Sequence, residues 1–179
     1  MEVNKLAIIF ESYKQKKFLL NNAILPYKNF MDGFFSVEIR EKNKLEGYNI
    51  EFLDGRIFEF ASKNFISELY YNKYAIKKET LIEIAKATNS YIKAKNKIIL
   101  LEVGSIFITD AEFSSNFIKL LSSDKKVIIF SPRQKEIVST IRKLDDLILL
   151  ELNRKTIQGI KKITDEWLGE NVSRINLYE

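Results

Sequence analysis

The 179-residue sequence contains no cysteine and no histidine. The first absence excludes disulfides and thiolate metal sites, and it fits a cytoplasmic protein. The second is more restrictive, because it removes histidine general bases, Ser-His-Asp triads and the usual zinc ligands. Proline occurs twice and glycine six times, too rarely for a disordered chain, a collagen-like repeat or a long flexible linker. No apolar run approaches the roughly 18 residues of a membrane span. Residues 6–10 are too short for the apolar core of a signal peptide, and charges flank them closely. Internal repeats and low-complexity stretches are absent as well.

What remains is a chain long enough to bury a sizeable core and short enough to form one domain, residues 1–179. Its net charge of +5 is spread out, with Lys14, Lys16 and Lys17 as the tightest early cluster and Lys125-Lys126 and Lys161-Lys162 elsewhere. A mildly basic, solvated surface is the plain reading of that pattern, ahead of a nucleic-acid groove. The stretch around which the rest is arranged is KIILLEVG, residues 97–104. Four consecutive large aliphatics predict a strand buried on both faces. Its C-terminal end delivers Glu102 and then Gly104 to the sheet edge where α/β proteins bind ligands.

Taken in order, KLAIIF (5–10) predicts a first buried strand and residues 18–25 a short helix closed by Pro26. GFFSVEIRE (33–41), a turn at 42–44, GYNIEFL (47–53), the hairpin signal Asp54-Gly55 and RIFEFA (56–61) predict a three-stranded antiparallel meander. An irregular, tyrosine-rich segment (65–76) precedes a helix over 78–93. After the organising strand, Thr109 or Asp110 caps a helix, and VIIF (127–130) forms a strand stopped by Ser131-Pro132. Residues 134–144 read as a helix and LILLEL (147–152) as the last strand. Asn153 then caps a final helix through Trp167, ended by Gly169. The alternation from residue 78 onward predicts a mostly parallel sheet flanked by helices, with the meander (about 33–61) inserted into it.

Several local patterns resemble those of the small P-loop nucleoside-triphosphatases of archaea and bacteria. Gly33-Phe34-Phe35-Ser36-Val37-Glu38-Ile39-Arg40 is similar to that family's G-F-[YF]-[ST]-x-E-[VI]-R, and Asn72-Lys73-Tyr74-Ala75-Ile76 to its G-K-Y-x-V. Leu101-Glu102-Val103-Gly104 resembles its D-E-I-G at the end of the Walker B strand, and Asn153-Arg154 its later cap. The resemblance spans nearly the whole chain and implies a P-loop NTPase-like fold, ATP or GTP with Mg²⁺, and Glu102 as the residue that positions the attacking water.

The departures fall on the catalytic machinery. A phosphate-binding loop reads G-x-x-x-x-G-K-[ST], because backbone N–H groups must approach the phosphates closely. No glycine precedes Gly33 here. An ungapped overlay puts Glu11 and Lys16 on the two glycines, Lys17 on the lysine and Phe18 on the Mg²⁺-binding hydroxyl residue. Leu101 stands on the Walker B aspartate. Lys17 and Lys16 remain as phosphate contacts, and Ser131 and Arg133 sit where a ligand-contacting loop belongs. Glu38 and Arg40 match family positions, but read first as a cross-strand charge pair on the meander's exposed face.

Three functions follow from these patterns. The first is a degenerate family member with weak or no hydrolysis that acts as a binding or interaction module for a nucleotide or a protein partner. The second is an active triphosphatase or nucleotide kinase-like phosphotransferase using Lys17 and Glu102. The third, least supported, is a nucleic-acid binder that stacks bases on residues 70–74.

Overall fold

Alternating burial builds the central layer. In β1 (Lys5–Phe10), Ala7 and Ile9 face one layer of helices while Leu6 and Ile8 face the other. The same alternation recurs in β7 (Ile98–Glu102) and β8 (Val127–Pro132), whose inner residues are fully buried on both sides. Such strands read as unbroken apolar runs because neither face meets water. The remaining strands are β2 (Met31–Glu41), β3 (Lys44–Phe52), β4 (Ile57–Ser62), β5 (Tyr70–Tyr71), β6 (Tyr74–Ile76) and β9 (Leu147–Leu152). The computed structural model describes residues 3–95 and 97–176. Among these residues the strands form one nine-stranded sheet in the order β5-β6-β4-β3-β2-β7-β8-β1-β9.

Helices α2 (Lys78–Lys93), α4 (Ala111–Leu121) and α5 (Lys135–Ile141) cover one face. They contribute Leu81, Ile84, Phe113, Phe117 and Ile137 to its core. On the other face lie α1 (Tyr13–Leu19), the turns that extend it, and α6 (Ile157–Asn176), with Leu19, Ile24, Trp167 and Leu168 inside. Each such side chain contributes about 1.5–3 kcal/mol on full burial.

The meander is continuous with this sheet. Met31 to Phe34 pair in parallel with Ile98 to Leu101, while Phe34 to Glu41 pair antiparallel with β3. One strand therefore serves both halves, and Gly33 makes the seam. Its φ is +139°, and a Cβ there would stand 1.9 Å from the carbonyl oxygen of Leu100. The β2–β3 turn places Lys42 and Asn43 at positive φ (47° and 65°), as a two-residue hairpin requires.

Several boundaries differ from the sequence expectation. The first helix begins at Tyr13 rather than at residue 18, and Pro26 starts a 3-10 turn (Leu25–Phe30) instead of closing the helix. Residues 70–76, expected to be irregular, form the short β5–β6 pair. Ser131 and Pro132 belong to β8 rather than stopping it; Pro132 lies at the strand's last position, where its missing N–H costs least. A short turn of helix, α3 (Ser105–Ile108), precedes the helix that Asp110 caps through the N–H of Phe113. Gly169 does not end α6. Burial of Leu168, Asn171 and Val172 carries the helix past it to Asn176 and offsets the roughly 1 kcal/mol that an internal glycine costs.

From β1 the chain crosses to β2 on one side, whereas from β8 it crosses to β9 on the other. A crevice therefore opens beyond the C-terminal ends of the central strands. No helix of the described residues is long and apolar enough to cross a membrane.

Candidate functional site

Residues Lys16, Leu19, Leu20, Ala23 and Ile24 fall at i, i+3, i+4, i+7 and i+8, one face of a helical turn, and all five are buried. The inward stripe of α1 thus begins with a lysine. Its Nζ lies 2.7 Å from Oε2 of Glu102 and donates also to the Ser36 carbonyl (2.8 Å) and hydroxyl (3.0 Å). Glu102, the last residue of β7, completes the knot. Its Oε2 accepts from the Ser36 N–H at 2.8 Å, and its Oε1 accepts from the Ser36 hydroxyl at 2.7 Å. The ammonium also lies 4.5 Å from the Tyr13 ring centroid and 5.6 Å from that of Phe10.

A cavity of about 340 Å³ opens beside this cluster. Its walls are largely aromatic, with Tyr13, Tyr48, Tyr71, Tyr74 and Phe107 among them, and Glu38 and Glu102 supply the carboxylates. Among the described residues lining it, none is a lysine or an arginine. Burial pushes the Tyr48 phenol up to about 12, and burial likewise raises that of Tyr13. Both therefore stay protonated at neutral pH, able to donate hydrogen bonds but not to act as bases. The Tyr13 hydroxyl accepts from the Glu38 N–H at 3.0 Å, fixing that ring against β2. Gln134 accepts from the Ser105 N–H at 2.6 Å and donates to the Tyr71 hydroxyl at 2.8 Å, bracing the opposite wall.

The residues singled out from sequence separate. Lys16 and Glu102 meet, while Lys17, next along the helix, is exposed. Arg133 is exposed too, 2.9 Å from Glu151 and 4.0 Å from Glu11, and it does not line the cavity. Ser131 is fully buried and bonds the Pro132 carbonyl. Glu38 pairs with Arg40 at 2.7 Å along the same strand, not across strands. Sequence reasoning missed Tyr13, Tyr48 and Gln134 as wall residues, and Ser36 as the link between Lys16 and Glu102. For Lys16 a signal existed in the i, i+3, i+4 spacing, had a charged residue been admitted to the stripe.

The groups implied by the resemblance do not fit these residues. Only Glu11 and Ser12 separate β1 from α1, and the Ser12 hydroxyl already accepts from the Gln15 N–H at 3.4 Å. A turn this short holds no loop of N–H groups that could wrap a phosphate. Whichever of Lys16 and Lys17 is matched to the loop lysine, the next residue is Lys17 or Phe18, and neither ligates Mg²⁺. An ammonium 2.7 Å from Glu102 would repel a dication placed there. Among the described residues, no group of three or more acidic, histidine or cysteine side chains converges to hold a metal.

A family model described as NTPase matches residues 23–164, beginning beyond residues 11–18, where the phosphate loop would lie. The chain is 29% identical over 132 residues to the nucleoside-triphosphatase THEP1 of Thermotoga petrophila, covering 73% of this chain and 74% of that protein. It is 29% identical over 125 residues to the protein of the same name from Thermotoga maritima, covering 69% and 72%. In fold it is similar to the crystal structure of THEP1 from Aquifex aeolicus, with a TM-score of 0.77 at 21% identity over 92% of this chain and 98% of that one. A human cancer-related nucleoside triphosphatase gives a TM-score of 0.62 at 13% identity, with full coverage of both. With four-fifths of its length matched and the same α/β sheet, the chain belongs to the NTPase family of small P-loop nucleoside-triphosphatases.

Proposed function

We propose that this family member keeps the nucleoside-triphosphatase scaffold as a binding module and does not hydrolyse nucleoside triphosphates by the family's route. The observation that carries the reading is the closed Lys16–Glu102–Ser36 cluster. By the family resemblance Glu102 corresponds to a glutamate that would orient the attacking water, and here both of its oxygens are engaged within the protein. Phosphoryl transfer depends on positioning and on charge neutralisation at the transferred group. Here the lysine that would neutralise phosphate is buried against the carboxylate instead, and the cavity walls carry negative rather than positive side chains.

The test is phosphate release from ATP and GTP with Mg²⁺, in the wild type and in Glu102→Gln. Both proteins should match the buffer blank. Turnover in the wild type that Glu102→Gln abolishes would overturn the proposal and establish the second reading, an active phosphohydrolase or phosphotransferase built on Glu102 with Lys16 or Lys17. That reading draws on the meeting of Lys16 with Glu102 at the strand ends, and on the activity in the relatives' names. Nucleotide-dependent thermal stabilisation lost in Lys16→Ala or Lys17→Ala would say which lysine serves it. A nucleic-acid role has less support, since Tyr71 and Tyr74 wall the cavity and, of the three tyrosines in residues 70–74, only Tyr70 is exposed.

A further inference from the structure

Loss of a phosphate site leaves open what the crevice binds, and its walls answer in chemical terms. An aromatic ring presents a negative face, and several rings around one space with a carboxylate at hand form a receptor for cations. The cavity has this composition. Tyr13, Tyr48, Tyr71 and Tyr74 line it with Phe107, Glu38 supplies a carboxylate on the β2 side, and none of the described residues lining it is a lysine or an arginine. Ammonium groups meet two of its wall residues: that of Lys16, paired with Glu102, and that of Lys73, 5.5 Å from the Tyr74 ring centroid. The protein already holds one ammonium in this manner, since Nζ of Lys16 rests against the Tyr13 and Phe10 rings beside Glu102.

A second observation points to an absent guest. Tyr74 is only 7% exposed, lines the cavity, and packs edge-on against Tyr48 with centroids 5.6 Å apart. Its hydroxyl is buried and has no hydrogen-bond partner among the described residues. Such a group costs about 1–3 kcal/mol unless something satisfies it. Gln134 and Ser105 both engage the Tyr71 hydroxyl, so that wall is fixed in place while the Tyr74 hydroxyl stays open.

We propose that the cavity binds a small organic cation, an ammonium or amidinium head on a flat or apolar body, held by the tyrosine faces and Glu38. The proposal deepens, and rests on, the reading of the crevice as a non-hydrolytic binding site. Glu38 is not committed to the Lys16 cluster: one oxygen meets the exposed Arg40, and its side chain is otherwise largely withdrawn from solvent. Volume agrees, because about 340 Å³ lies within the range of small-molecule sites and accommodates a single-ring amidine.

Benzamidine and its neutral isostere benzamide separate charge from shape. Calorimetric titration of the full chain should show benzamidine binding and benzamide weaker by about tenfold, the worth of one desolvated cation contact. Glu38→Gln and Tyr48→Leu should each weaken benzamidine by part of that factor while leaving benzamide unchanged. Equal binding of the two probes, or binding of neither at millimolar concentration, would overturn the proposal. A parallel titration with ATP and Mg²⁺ keeps the two ideas apart. Triphosphate binding with turnover sinks the non-hydrolytic reading, whereas failure of benzamidine alone sinks only the cation site.

Discussion

Lys5 and Lys16 are both buried in the same sheet, one at the N-terminal end of the central strands and the other at the C-terminal end. Lys5 donates to the carbonyls of Ser123 (2.7 Å) and Lys125 (3.0 Å), and reaches Asp146 at 3.2 Å, whose side chain is 24% exposed. Its partners are mostly backbone, so the ammonium ties two loops to the start of β1 as a structural plug. Lys16 has a buried carboxylate, a hydroxyl and two aromatic faces instead. A carboxylate at a parallel strand's C-terminal end is a group that α/β proteins commonly offer to a ligand. Equal burial therefore takes two forms here: at one end the cation holds loops, at the other it is paired with a carboxylate at a strand end.

The largest expected effect comes from breaking the Lys16–Glu102 pair. Glu102→Ala leaves the Lys16 ammonium buried without a carboxylate, beside Ser36 and the Tyr13 and Phe10 rings, which should cost about 3–5 kcal/mol in urea denaturation. The double variant Lys16→Met, Glu102→Leu should recover most of that, because a buried ion pair is often replaceable by apolar side chains of similar size. Strictly additive single-variant losses in the double-mutant cycle would instead show that the two residues do not act as a pair.

The plug should respond less. Lys5→Met orphans two carbonyls near the sheet's lower edge, a loss of about 1–3 kcal/mol. Lys5 also carries a pH signature, since burial, the largest influence, holds its ammonium below the ordinary value of 10.5. Between that lowered value and 10.5 the unfolded chain binds more protons than the native one. Stability due to Lys5 is thus present above 10.5 and is lost as pH falls through the native value. The Tm difference between wild type and Lys5→Met should widen as pH rises across that window. A flat difference would mean that Lys5 titrates alike in both states.

Smallest of all should be Asp146→Asn, below about 1 kcal/mol, because the pair is partly solvated and Lys5 keeps its carbonyl partners. A cost rivalling that of Glu102→Ala would erase the contrast between the two ends.

Much of the sheet was legible in advance. The runs IILL, VIIF and LILLEL are long and apolar because both faces are covered, and the meander announced itself through alternation and the Asp54-Gly55 signal. The first helix was read five residues late for the reason that makes it interesting: its inner stripe opens with a charge, which a search for apolar periodicity rejects. The place of Glu102 at the end of a strand was legible, and the structure puts it there beside Lys16. Tyr48, Tyr71, Tyr74 and Gln134 were not found as one group, since they come from separate strands and a loop and share no spacing.

By itself the sequence determined the α/β architecture and the absence of a glycine-rich phosphate loop, because both are written in local periodicity and residue type, while the motifs at 33–40 and 101–104 carried the resemblance to the family. Only the tertiary structure decided that Lys16 rather than Lys17 meets Glu102, that Ser36 joins them, and that tyrosines from distant segments enclose a cavity with no basic wall residue among the described residues. Those contacts bridge up to 86 positions along the chain. Their geometry depends on how strands and helices pack in space, which no local pattern encodes.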